Sequence, residues 1–153
     1  MLDQIKFIPT NVHGYIDYAT GAFLSTSPFY LTGVKRKKTK KEQENQKDIT
    51  DIELSKEIKK LQPQQIIPYA MGVASTAYSL FTNYELGAVR KIPMKVHLMI
   101  DAASGALMAA SPWIFGFYKK TWIPFVAIGV MEIAVALFTK TEIEDEVMQP
   151  SLV

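Results

Sequence analysis

The sequence predicts an all-α, polytopic membrane protein, with four transmembrane helices arranged as two parallel-repeated helical hairpins. Three observations predict it. Four segments of about the length that crosses ~30 Å of hydrocarbon, at about 1.5 Å of rise per residue, hold almost no Lys, Glu or Gln. Charge is gathered elsewhere, above all in residues 34–64. And the second half of the chain repeats the first.

The segments run over 12–33, 65–84, 95–117 and 121–139. A mean hydropathy of +0.06 would suit a water-soluble chain, but it averages a charged insert with largely apolar segments. A soluble bundle needs a polar outer face on each helix, and these segments offer few residues to build one. Aromatic residues mark the segment ends, among them Phe29, Tyr30, Tyr84, Trp113, Tyr118 and Trp122, where rings favour the headgroup level. The expected organisation is a first helix within 1–33, a basic insert at 34–64 and a second helix at 65–84. The second repeat, with helices 3 and 4, follows at 85–139, and a tail at 140–153. The N-terminus lacks the basic lead and apolar core of a signal peptide, and its first span has a copy further on, so it is expected to be retained.

Lys and Arg set the orientation. Twelve of the 17 basic residues fall in the 34–64 insert and at Lys119 and Lys120. The positive-inside rule places that side in the cytoplasm and both termini outside. There is no Cys, which excludes disulfides and thiolate metal sites. The net charge of +2 is local, and nothing points to nucleic acid.

A shift of 84 residues lays Val12, His13, Ile16, Asp17, Ala19, Gly21, Ala22, Ser27 and Pro28 on Val96, His97, Ile100, Asp101, Ala103, Gly105, Ala106, Ser111 and Pro112. Ile8-Pro9 falls on Ile92-Pro93. The second helices match more weakly, through Gly72 with Gly129 and Leu80-Phe81-Thr82 with Leu137-Phe138-Thr139. The unit is a duplicated hairpin. A two-span unit returns the chain to its starting side, so the copies are parallel about an axis along the membrane normal.

His97-x-x-x-Asp101, Gly105 and Ser111-Pro112-Trp113, within this repeat, resemble the SPW-repeat family of small bacterial membrane proteins. The first copy reads Ser27-Pro28-Phe29, keeping the aromatic character but not the Trp. The resemblance covers both hairpins and omits the insert. It implies a multi-pass protein of the bacterial inner membrane and no established activity.

His13, Asp17, Gly21 and Ser25 lie four residues apart, as do His97, Asp101, Gly105 and Ala109. That spacing makes a stripe on one helix face, polar at one end and small at the other. It reads as a seam between helices 1 and 3, with Gly21 and Gly105 at close contacts and Ile128 and Val135 turned to lipid. Pro28 and Pro112 bend the helices further on, and Ser27 and Ser111 are placed to satisfy the freed carbonyls. These are structural roles, as is that of Trp113.

His13 and His97 are the chain's two histidines, and each has an Asp four residues on, within side-chain reach. Counted from the expected outer ends, Asp17 and Asp101 lie at ~8–9 Å and Glu132 at ~10 Å. His13, Asp17, His97, Asp101 and Glu132 are therefore expected to form one intramembrane cluster. In one reading the pairs are a polar clamp. In the other they bind a metal ion or pass a proton. The first makes the protein a non-catalytic membrane scaffold; the second makes it a small ion or proton carrier or metal-binding protein. No catalytic motif stands out, so an enzyme is not expected, and no organic cofactor is called for. Beyond the bilayer, residues 35–61 are a candidate contact for anionic lipid or a protein partner, through the run from Lys35 to Lys41 and a short helix striped by Leu54, Ile58 and Leu61.

Overall fold

A computed structural model describes residues 5–30 and 62–142, so the expected lipid or partner contact at 35–61 lies outside the described residues. Four helices make up the fold: α1 (Thr10–Tyr30), α2 (Pro63–Leu80), α3 (Met94–Ile114) and α4 (Ile123–Phe138). Among the described residues there is no β-strand, only two isolated bridges. Proline sets the starts. Pro93 immediately precedes α3, and prolines occupy the first turns of α2 and α4, where the missing N–H costs nothing. At α2 the Gln62 N–H also donates to Gln65 Oε1 at 2.7 Å. Gly116 turns the chain from α3 to α4 at φ 72°, a left-handed conformation that suits glycine.

No helix among the described residues is long and apolar enough to cross a membrane. The two 21-residue helices, α1 and α3, reach ~31 Å but carry His, Asp and Ser, which lower their average apolarity. The most apolar helix, α4, has 16 residues and reaches ~24 Å. Residues 81–84, expected to finish the second span, leave the helix. There the chain turns back, and Phe81 O accepts from the N–H groups of Lys91 and Ile92 at 2.8 Å.

That pairing has a counterpart. Phe138 O accepts from the N–H groups of Phe7 and Ile8 at 2.9 and 3.0 Å, and Lys140 N donates to Ile8 O as Asn83 N donates to Ile92 O. Each repeat's end thus clasps the start of the other repeat. The clasp brings the beginnings of α1 and α3 to the same end of the bundle.

Close packing lies within each hairpin. A Cβ added at Gly72 would stand 2.7 Å from Gly21 O, and one added at Gly105 would stand 2.7 Å from Gly129 O. Gly21 and Gly105 are therefore close-contact positions, but against α2 and α4, not across an α1–α3 seam. The matched glycines at 72 and 129 complete the two crossings. Ile128 packs against the apolar cluster of Leu24, Met108, Phe117 and Phe125, and Val135 borders a cavity shared with His13, Asp17 and Asp101, so both are half-buried and not fully turned outward. Outward positions on α4 are Val130 and Leu137.

Pro112 lies inside α3, where its ring leaves Met108 O without the usual helical donor, and Ser111 Oγ donates to that oxygen at 2.7 Å. Ser27 Oγ, its repeat equivalent, is buried with no partner among the described residues. Trp113 is exposed and its ring lies 6.1 Å from that of Trp122 across the α3–α4 turn.

Gly72→Leu and Gly105→Leu should each destabilise the fold by about 1–3 kcal/mol or prevent it, since the obstructing atoms are backbone oxygens that cannot give way. Val130→Leu should be near neutral. Thermal unfolding followed by helical circular dichroism checks the difference, and equal tolerance at all three positions would remove the close crossings from the account.

Candidate metal centre

The clasped ends deliver four side chains to one point. His13 Nε2 lies 3.1 Å from His97 Nε2. Asp101 Oδ2 lies 3.0 Å from His13 Nε2 and 3.1 Å from His97 Nε2. Asp17 straddles the pair, with Oδ1 at 3.2 Å from His13 Nε2 and Oδ2 at 3.0 Å from His97 Nε2. All four residues are buried, and their ligand atoms lie within 4.8 Å of one another. Helical i,i+4 spacing aligns each His with its own Asp; the fold adds the crossed contacts between repeats.

Two threonines orient the imidazoles. Thr139 Oγ1 donates its single proton to Val135 O at 2.6 Å, so towards His13 Nδ1, 2.9 Å away, it can only accept. Thr82 Oγ1 likewise donates to Tyr78 O at 2.8 Å and accepts from His97 Nδ1 at 2.8 Å. With the threonine protons given to those carbonyls, each Nδ1 is the donor, and in a neutral ring the Nε2 lone pair then points at the centre. The carboxylates are held too. Tyr78 Oη donates to Asp101 Oδ1 at 2.6 Å, and Ser79 Oγ to Asp17 Oδ2 at 3.3 Å.

The result is a ring of acceptors facing inward. Two N–H donors would not meet nose to nose at 3.1 Å, so the two imidazoles are poorly arranged to be protonated together at Nε2. One cation between them answers all four groups. A tetrahedral ion with bonds of about 2.0–2.1 Å to His nitrogen and carboxylate oxygen separates its donors by about 3.3 Å. Asp101 Oδ2 and the two nitrogens, 3.0–3.1 Å apart, come close to that edge, while Asp17 meets the two nitrogens through different oxygens and the four donors as a set lie within 4.8 Å of one another. Two imidazoles with two carboxylates suit zinc-class ions; magnesium and calcium call for more oxygen donors.

Glu132 does not join the four. It borders the same cavity as His13, Asp17 and Asp101, but its Oε2 is buried with no hydrogen-bond partner among the described residues. Ser27, Pro28, Ser111, Pro112 and Trp113 fall near the far ends of α1 and α3, away from the centre. Thr82, Thr139 and Tyr78 belong to the site and were not expected there. The signal for the threonines was present in the repeated Leu-Phe-Thr at 80–82 and 137–139.

Set against models of protein families, curated proteins and solved structures, the chain has no match.

His97→Ala leaves two carboxylates facing one imidazole and should destabilise the fold by about 3–5 kcal/mol. Because His13 and His97 touch, the double variant should cost clearly less than the two single changes added together. A double-mutant cycle from unfolding midpoints checks this, and simple additivity would mean that the imidazoles do not share a centre.

Proposed function

We propose that this chain is an integral membrane protein of two duplicated hairpins that binds one divalent ion of the zinc class between them. The observation that carries the metal reading is the convergence of four buried donor groups, with both imidazoles turned by threonine so that Nε2 faces the others. A histidine ligand typically donates its second ring N–H to an oxygen that fixes tautomer and direction, and the threonines supply those oxygens.

The membrane reading rests on which residues face out. The four helices hold four charged residues, Asp17, Lys95, Asp101 and Glu132, and of these only Lys95 is exposed. Tyr15, Phe23, Met99, Leu107, Ile114, Ile123, Val130 and Leu137 are exposed instead. An outer face this poor in charge has no counterpart in a water-facing bundle, whereas lipid accepts it. Helix-averaged hydropathy mixes this outer face with a polar interior, while lipid meets only the outer one. The likeness of the Ser-Pro-Trp repeat to the SPW-repeat family points the same way. In this reading residues 34–64 are cytoplasmic and both termini outside.

A second reading has an observation of its own. His13 with Asp101 and His97 with Asp17, each at 3.0 Å, make crossed contacts between the repeats. In a metal-free scaffold these would clamp the hairpins together. The protein then acts by presenting its surfaces and not by holding an ion.

Purified from membranes in mild detergent, the native protein should carry about one zinc-class ion per chain, and Thr82→Val or Thr139→Val should weaken binding about 10–100-fold. Thr82→Ser, which keeps the hydroxyl, should restore it. Affinity should fall as pH drops through the imidazole range, because protons compete for Nε2. A protein that takes up no ion while folding normally is the scaffold. Reporter fusions at residue 45 and at the C-terminus should report opposite sides; an external residue 45 would invert the orientation, and a chain absent from the membrane fraction would end the membrane reading.

A further inference from the structure

Beside the four ligands lies a cavity of about 20 Å³, room for roughly one water molecule. Three of the four ligand residues, His13, Asp17 and Asp101, border it, and His97 does not. These three residues therefore mark the cavity side of the centre. Glu132 also borders the cavity, and its buried Oε2 has no donor among the described residues. A buried carboxylate oxygen without a donor is costly, and a small occupant with an O–H to give would satisfy it.

We propose that the centre keeps a fifth coordination position on its cavity side, taken by a water that bonds the metal through oxygen and donates a hydrogen bond to Glu132. The inference rests on the metal reading and goes beyond it. A ligand added there would take four-coordination to five, an expansion open to zinc-class ions. The position accepts water, or a neutral molecule equally small that offers a lone pair to the metal and a proton to a carboxylate. A centre with such a position exchanges ligands and activates bound water, which a closed structural site does not do. Glu132 is thus a positioning residue for the fifth ligand and not itself a ligand. The asymmetry of the duplicated unit fits this role. Glu132 corresponds to Ser75 in the repeat, and Ser75 borders the same cavity.

The test uses the full chain loaded with Co²⁺ in detergent, transferred into water enriched in the magnetic oxygen isotope and examined by electron–nuclear double resonance. The native protein should show an oxygen coupling from metal-bound water. Glu132→Gln, which keeps an acceptor oxygen, should retain the coupling. Glu132→Leu should lose it while still holding one Co²⁺ per chain, and Glu132→Ala serves the same purpose should the leucine variant not fold. Bound Co²⁺ without an oxygen coupling in the native protein would show a closed site and overturn the proposal. A coupling that survives removal of the Glu132 carboxylate would overturn the role given to Glu132. Failure of the native chain to bind Co²⁺ at all would instead overturn the metal reading beneath it.

Discussion

Two imidazole nitrogens held 3.1 Å apart between two carboxylates form the centre on which the rest of the structure converges. Each imidazole is aimed by a threonine at the end of the other repeat's second helix. Those threonines are placed by the main-chain clasp that joins one repeat's end to the other's start. Close helix crossings within each hairpin accompany the clasp, at the Gly21–Gly72 and Gly105–Gly129 contacts. Slipping any of these by one residue would rotate a side chain by about 100° away from the centre.

The duplicated unit builds a symmetric centre and then departs from symmetry beside it. His13 and His97, Asp17 and Asp101, Thr139 and Thr82 occupy equivalent places. The second helices differ one turn away: Tyr78 corresponds to Val135, Ser79 to Ala136 and Ser75 to Glu132. Tyr78 donates to Asp101 and Ser79 to Asp17, so both carboxylates are tethered by α2 and neither by α4. With α2 occupied in holding the ligands, α4 is left to present Glu132 to the cavity. A purely structural clamp gains nothing from such a division, whereas a site that holds an ion on one side and admits a small ligand on the other does.

Much of this was legible in the residues. The internal match identified the duplication, and helical spacing paired each His with its Asp. The matching Gly72 and Gly129 were visible too, but periodicity along one helix cannot say which neighbour that helix meets. The stripe on α1 and α3 therefore read as one seam, when its polar end meets the other hairpin and its small end meets its own partner helix. The roles of Thr82 and Thr139 depend on a main-chain reversal after α2 and α4 that no turn dipeptide announces. Glu132 was placed at the correct level by counting rise along the helix. Its separation from the four ligands depends on side-chain direction, which depth alone does not set.

The cost of burial separates the two readings of the centre. Buried ion pairs can often be replaced by apolar side chains of similar volume with no loss of stability, sometimes with a gain. Joining two hairpins would therefore not by itself call for two histidines and two aspartates in an interior that already has apolar clusters at Leu24–Met108 and Tyr84–Leu98. Charged groups are also scarce in these helices, and three of the four face inward to one cavity and its rim. Packing alone does not account for that concentration; a bound ion would give both aspartates a partner and each threonine a purpose.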